Sequence, residues 1–154
     1  MPRYGAGITG SGINTADRAY FALINPNSPG VLAKIVEIVV GIAVAPTTAP
    51  ALYLARCTAR GTQTATLIGQ ALDPSASAAN ETLDSCSATQ PTFTAANKIG
   101  VGALQVTAGG VWVWTFYDSP LIVPATQNNG IVIANTNASG ATTGTFNCSV
   151  KWDE

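Results

Sequence analysis

Glycine, proline and asparagine clusters punctuate this chain so often that what lies between them is strand-length. Between the breaks the residues are Val, Ile, Thr, Tyr, Phe and Trp, the types that fit a pleated, half-buried surface. Residues 145–152 carry the clearest pattern: Phe146, Cys148, Val150 and Trp152 alternate with Thr145, Asn147, Ser149 and Lys151. A period of two puts one set on a core face and the other toward solvent.

The same reading places strands at 18–24, 31–44, 52–57, 62–72, 85–89, 99–106, 111–117 and 131–135. The run 31–44 is apolar at both odd and even positions, which predicts burial of both faces. Asn25-Pro26-Asn27-Ser28-Pro29-Gly30, Ala108-Gly109-Gly110, Asn128-Asn129-Gly130 and Ala138-Ser139-Gly140 read as turns. Residues 73–84 are small and polar and read as a long surface loop with at most a turn or two of helix. Residues 1–16 hold four glycines and little periodicity, and read as a mobile N-terminal arm with Arg3, Tyr4, Ile8 and Ile13 spaced along it as anchors.

No long helix and no alternation of strand with helix emerges, so the fold expected is all-β. It is an antiparallel two-sheet sandwich of the jelly-roll type over residues 17–154, with the arm at 1–16. An immunoglobulin-type sandwich fits less well, because Cys86 and Cys148 bracket Trp112 and Trp114 at too long a spacing.

Composition bears on function mainly by exclusion. Seven basic and eight acidic residues are scattered singly and amount to 10% of the chain, against about 25% in an average soluble domain. Nucleic-acid binding, which needs clustered Lys and Arg, finds no support. So sparse a charge implies a surface meant to be covered by other protein. There is no histidine, so neither a Ser-His-Asp or Cys-His site nor an imidazole metal ligand can be built. The carboxylates are terminal, in the polar loop or beside turns, and do not form the facing pair that glycoside hydrolysis requires. Gly5-Ala-Gly7 and Gly100-Val-Gly102 lack the full spacing of a phosphate loop.

Cys57, Cys86 and Cys148 contain no C-x-x-C pair and read as buried thiols, one disulfide with a free thiol being the other arrangement. The opening residues lack the apolar core of a signal peptide, and the longest apolar run is shorter than a membrane span and is broken by Lys34 and Glu37. Synthesis in a cytoplasm, with no membrane, nucleic-acid, cofactor, metal or small-molecule partner and no enzymatic activity, is the expectation. Trp112, Trp114 and Phe116 share one face of their strand. They are expected in the core or in a subunit interface together with Phe146, Val150 and Trp152, although an exposed pair of tryptophans would suit a glycan platform.

The order VWVWTF at 111–116, LIVP at 121–124, GIVIAN at 130–135 and TFNCSVKWDE at 145–154, together with the opening MPRY, resembles small proteins from the structural modules of tailed bacteriophages. The resemblance covers roughly half of the chain and carries no sharp motif. It implies a jelly-roll decoration, or cement, protein: a homotrimer bound to the major capsid protein on the outer surface of the virion head. The arm residues Arg3, Tyr4, Ile8 and Ile13 would be its capsid contacts. A receptor- or glycan-binding module of a head or tail fibre is the alternative of a different class.

Overall fold

The computed structural model describes residues 1–12, 17–86, 89–136 and 144–154, and every regular element among them is a strand. In chain order these are β1 (Arg3–Ser11), β2 (Arg18–Ile24), β3 (Ala33–Val44), β4 (Ala51–Ala59), β5 (Gln63–Ile68), β6 (Gln70–Ala71) and β7 (Thr82–Cys86). They continue with β8 (Thr92–Phe93), β9 (Gly100–Ala103), β10 (Val111–Thr115), β11 (Leu121–Val123), β12 (Gly130–Asn135) and β13 (Thr145–Asp153). All pairs are antiparallel. One sheet runs β10-β3-β13-β1-β6 with β11 also on β3. The other runs β5-β7-β2-β12-β4-β8 with β9 also on β4. The protein is a two-sheet β-sandwich. No helix among the described residues is long and apolar enough to cross a membrane.

The pairing is nested. β1 pairs β13, β2 pairs β12, β3 pairs β10 and β4 pairs β9, so strands equally far from the middle of the chain meet. Alternate members of that nest fall in alternate sheets, which places β1, β13, β3 and β10 opposite β2, β12, β4 and β9.

Between the sheets lies a core that includes Tyr4, Phe21, Leu23, Ile35, Ile38, Val40, Leu54, Ile131, Ile133, Phe146, Val150 and Trp152. A second, thinner layer covers the outer face of the other sheet, where Ala22, Tyr53, Ala55, Cys57, Val132 and Ala134 are overlaid by Phe93 and Ala95. Small side chains on that face let the overlying segment approach, so β2 and β12 are buried on both sides.

Four expectations change. The N-terminal segment is not a free arm: β1 pairs β13 along its whole length, from Arg3 opposite Asp153 to Ser11 opposite Thr145. Tyr4, Ala6 and Ile8 point into the core, while Gly5, Gly7 and Thr9 take the outer positions. The alternation was hidden because glycine stands where a polar residue usually marks the solvent face. Gly10 faces inward, and a Cβ there would lie 2.6 Å from Ser85 Oγ and 2.9 Å from Phe21 Cε1. Only glycine fits.

Residues 73–84 are not all loop, because β7 begins at Thr82 and pairs both β2 and β5, with Leu83 and Asp84 buried. Residues 62–72 are two strands rather than one. Gly69 makes the corner at which the chain leaves one sheet (β5) for the other (β6), and the Trp152 ring occupies the space a Cβ would need. Burial on both faces of 31–44 fails as well. Val31, Leu32 and Val44 are exposed, and Val39 and Gly41 are only half-buried, because no layer among the described residues covers the outer face of this sheet. The expected turn at 138–140 lies outside the described residues.

Candidate interaction surface

Among the described residues β10 is the last strand of its sheet and pairs with β3 alone, from Val111 opposite Gly41 to Thr115 opposite Glu37. Gly109, at φ 87°, shapes the turn that precedes it, and its N–H donates to the Ile42 carbonyl at 2.9 Å. Along β10 the pleat divides the side chains cleanly. Trp112 and Trp114 turn toward the facing sheet, and Val111, Val113 and Thr115 turn out.

The two indoles meet edge to face, with ring centroids 6.2 Å apart and planes at 66°. They pack onto β9, the counterpart edge strand of the other sheet. A Cβ on Gly100 would lie 3.2 Å from Trp114 Nε1, and a Cβ on Gly102 would collide with the Trp112 ring. Gly100-Val-Gly102 is therefore a seat for two indoles. Trp112, Trp114 and Phe116 are half-buried against the core, and the buried Trp112 Nε1–H has no acceptor among the described residues. Phe146, Val150 and Trp152 are fully buried in it.

With the aromatics turned in, aliphatic groups remain on the outside of this edge. On β10, Val111 (58% exposed) and Val113 stand on the outer face of their sheet and are followed by Tyr117 (60% exposed), whereas Val101 on β9 is as exposed as Val111 but points the opposite way, out from the other sheet. The patch continues onto the open face of the sheet. There Val113, Val39, Ser149 and Gly7 form one cross-strand row, and Val111, Gly41, Asn147 and Thr9 form the next. The small residues in the middle of these rows form the floor of an open groove of about 470 Å3, bordered by Val111 and Val39 on one side and by Thr9 and Asn147 on the other. Thr9 Oγ1 donates to Asn147 Oδ1 at 2.7 Å.

At one end of the groove the face becomes charged. Lys151 Nζ lies 2.7 Å from Glu37 Oε1, Tyr117 Oη donates to Glu37 Oε2 at 3.2 Å, and Arg3 forms a two-pronged pair with Asp153 at 2.7 and 3.0 Å. The hydrogen bond from Lys151 holds the Glu37 carboxyl below the usual carboxylate range, and the one from Arg3 does the same for Asp153. These charges are mutually satisfied, which leaves the aliphatic patch as the part with unmet contact area.

The proposed anchors divide. Arg3 is exposed, whereas Tyr4 and Ile8 are buried in the core and present no side chain to a partner, and Ile13 lies outside the described residues. The aromatic face of β10 drew attention in the sequence; its aliphatic face, Val111 and Val113, was the one left open. The signal was present in the run VWVWTFY, which is apolar on both sides and so marks a strand with two contact surfaces. The three cysteines are free and buried, and no group of three or more His, Cys, Asp or Glu suited to a metal occurs among the described residues. No protein-family model matches the chain, and no curated protein matches it either.

Proposed function

We propose that this protein is a structural packing module: a jelly-roll decoration protein that binds the outer surface of a tailed-phage head as a homotrimer and reinforces it through the major capsid protein. The observation that carries the reading is the aliphatic patch on the outer face of β10. Exposed Val111, Val113 and Tyr117 lie on the open face of their sheet, on a chain with few charges. Contiguous apolar surface of this kind marks a site of protein association. The nested pairing of β1 with β13, β2 with β12, β3 with β10 and β4 with β9 supports the jelly-roll part of the reading. Many such contacts repeated over a shell add up to firm attachment without any single strong site.

Sedimentation velocity at micromolar protein tests the self-association, with a species of three times the 15.7 kDa chain mass expected. Co-sedimentation with expanded heads tests the attachment. Val111→Glu with Val113→Glu places charge in the exposed patch, so the fold should survive while trimer or head binding is lost. A wild-type monomer that ignores heads would refute the proposal, and capture by an immobilised oligosaccharide in its place would establish the glycan-binding alternative.

A further inference from the structure

At one side of the sandwich the end of β13 lies beside the segment leading into β7, and side chains rather than a strand ladder join the two sheets. The Glu154 carboxylate makes the connection. The Asn80 backbone N–H is shared by its two oxygens at 3.0 Å each, the Glu81 N–H donates at 3.3 Å, Asn80 Nδ2 at 3.4 Å and Trp152 Nε1–H at 2.9 Å. Against it sits Glu81, with no exposed surface and no well-formed hydrogen bond to either carboxyl oxygen from a donor among the described residues; the Trp152 indole and the Glu81 N–H, both bonded to Glu154, favour its charged form only slightly.

Four donors are bonded to one carboxyl and none to the other, so the negative charge belongs to Glu154 and a proton to Glu81. A second bare carboxylate here would be buried, unpaired and next to a like charge. A protonated Glu81 instead donates O–H to Glu154, so that the pair shares one proton. Burial first, and the Glu154 carboxylate second, push Glu81 up to about 9. Burial alone would raise Glu154 as well, but the hydrogen bonds from Glu81, Trp152 and the two amides outweigh it and hold Glu154 below its ordinary value.

Glu154 is the charged group that acts on Glu81. Trp152 contributes an indole N–H from β13, the Gly69 corner contributes a backbone N–H to the Glu81 carbonyl, and Arg3 and Asp153 are engaged with each other nearby. A divalent cation is a poor occupant, since Glu154 already has its donors and calcium takes roughly six to eight oxygens.

We propose that the proton shared by Glu81 and Glu154 is a latch that ties the two sheets together along this side, and that its loss in alkaline solution frees residues 80–81 and the Trp152 indole while the rest of the sandwich stays folded.

The test is NMR of the 15N-labelled full chain between about pH 6 and about pH 11. It follows the Trp152 indole N–H and the Asn80 and Glu81 amides, with exchange protection corrected for the intrinsic rate at each pH. The three signals should move together, with roughly tenfold or greater loss of protection at Asn80 and Glu81, while the amides of β12 hold. In Glu81→Gln a neutral amide donates to Glu154 at every pH, so the transition should vanish. Signals that stay fixed across the range, or an identical transition in Glu81→Gln, would overturn the proposal. If Glu81→Gln does not fold, Glu154→Gln decides: without the charge beside it Glu81 should release its proton at lower pH, and an unchanged midpoint rejects the latch.

Discussion

Trp112 and Gly102 are complementary across the gap between the sheets, the indole filling the space that a side chain on Gly102 would take. Because the ring is rigid and packed against the core, Gly102→Ala forces it outward and should cost about 1–3 kcal/mol. Gly100→Ala, whose Cβ would lie 3.2 Å from Trp114 Nε1, should cost less. Urea denaturation midpoints of the two variants check the order, and equal effects would contradict it.

β1 should prove indispensable to the fold. Tyr4 is buried and stacks on Trp152 with ring centroids 6.1 Å apart, so Tyr4→Ala should lose about 3–5 kcal/mol. Deleting residues 2–11 strips β13 of one of its two neighbours and should abolish cooperative thermal unfolding. A truncated chain that melts like the full one would show that the strand is dispensable.

Asp84 is buried on the strand β7 and is held by Arg60 in a two-pronged pair at 2.7 Å on both sides, with Thr66 Oγ1 donating at 2.8 Å. Arg60→Ala leaves that carboxylate without its cation and should destabilise by about 3 kcal/mol. Adding Asp84→Asn should recover part of the loss, because the orphaned charge goes with it. A double variant worse than the sum of the two singles would exclude this account.

The three thiols should be inert in the native protein. Burial pushes Cys57 and Cys86 up to about 12 and Cys148 higher still. With almost no thiolate and no access at neutral pH, an aromatic disulfide reagent should give no colour until denaturant is added, and then titrate all three. Rapid native labelling of any one would contradict the burial.

Stability should fall as pH rises from about 4.5 toward about 9. Across that window the folded chain keeps the Glu81 proton while the unfolded chain has released it, so the folded state binds more protons and loses ground with each unit. The contribution is complete below the unfolded value and gone above the folded one. The slope cannot exceed about 1.4 kcal/mol per unit for one proton. Glu81→Gln should flatten this part of the profile in denaturant titrations, and an unchanged slope would place its source elsewhere.

Strands with one clean polar face could be read directly from the chain. In β13, Phe146, Cys148, Val150 and Trp152 are buried, and Asn147, Ser149 and Lys151 are exposed. β1 could not be read this way, because Gly5 and Gly7 replace the polar half of its alternation. β7 looked like loop because TLDSC is polar, and Asp84 is tolerable inside only through Arg60, 24 residues earlier. The open aliphatic patch depends on β10 being an edge strand, which is a property of the whole topology and is written in no local pattern. Glu81 was visible as an acid in a polar segment, and its burial follows from β13 ending beside it.

The nested pairing also fixes the order in which the molecule can come together as it leaves the ribosome. Of the four nested pairs the innermost, β4 with β9, closes the shortest connection and can form first. β3 must then wait for β10, β2 for β12, and β1 for β13, so β1 is the last of these strands to find its partner. Each outer pair closes a longer loop at greater entropic cost, and so high a proportion of distant pairings makes for slow folding. Until residues 145–153 emerge, β1 has no long partner, and Tyr4 and Ile8 stay exposed as a liability that only the arrival of β13 removes.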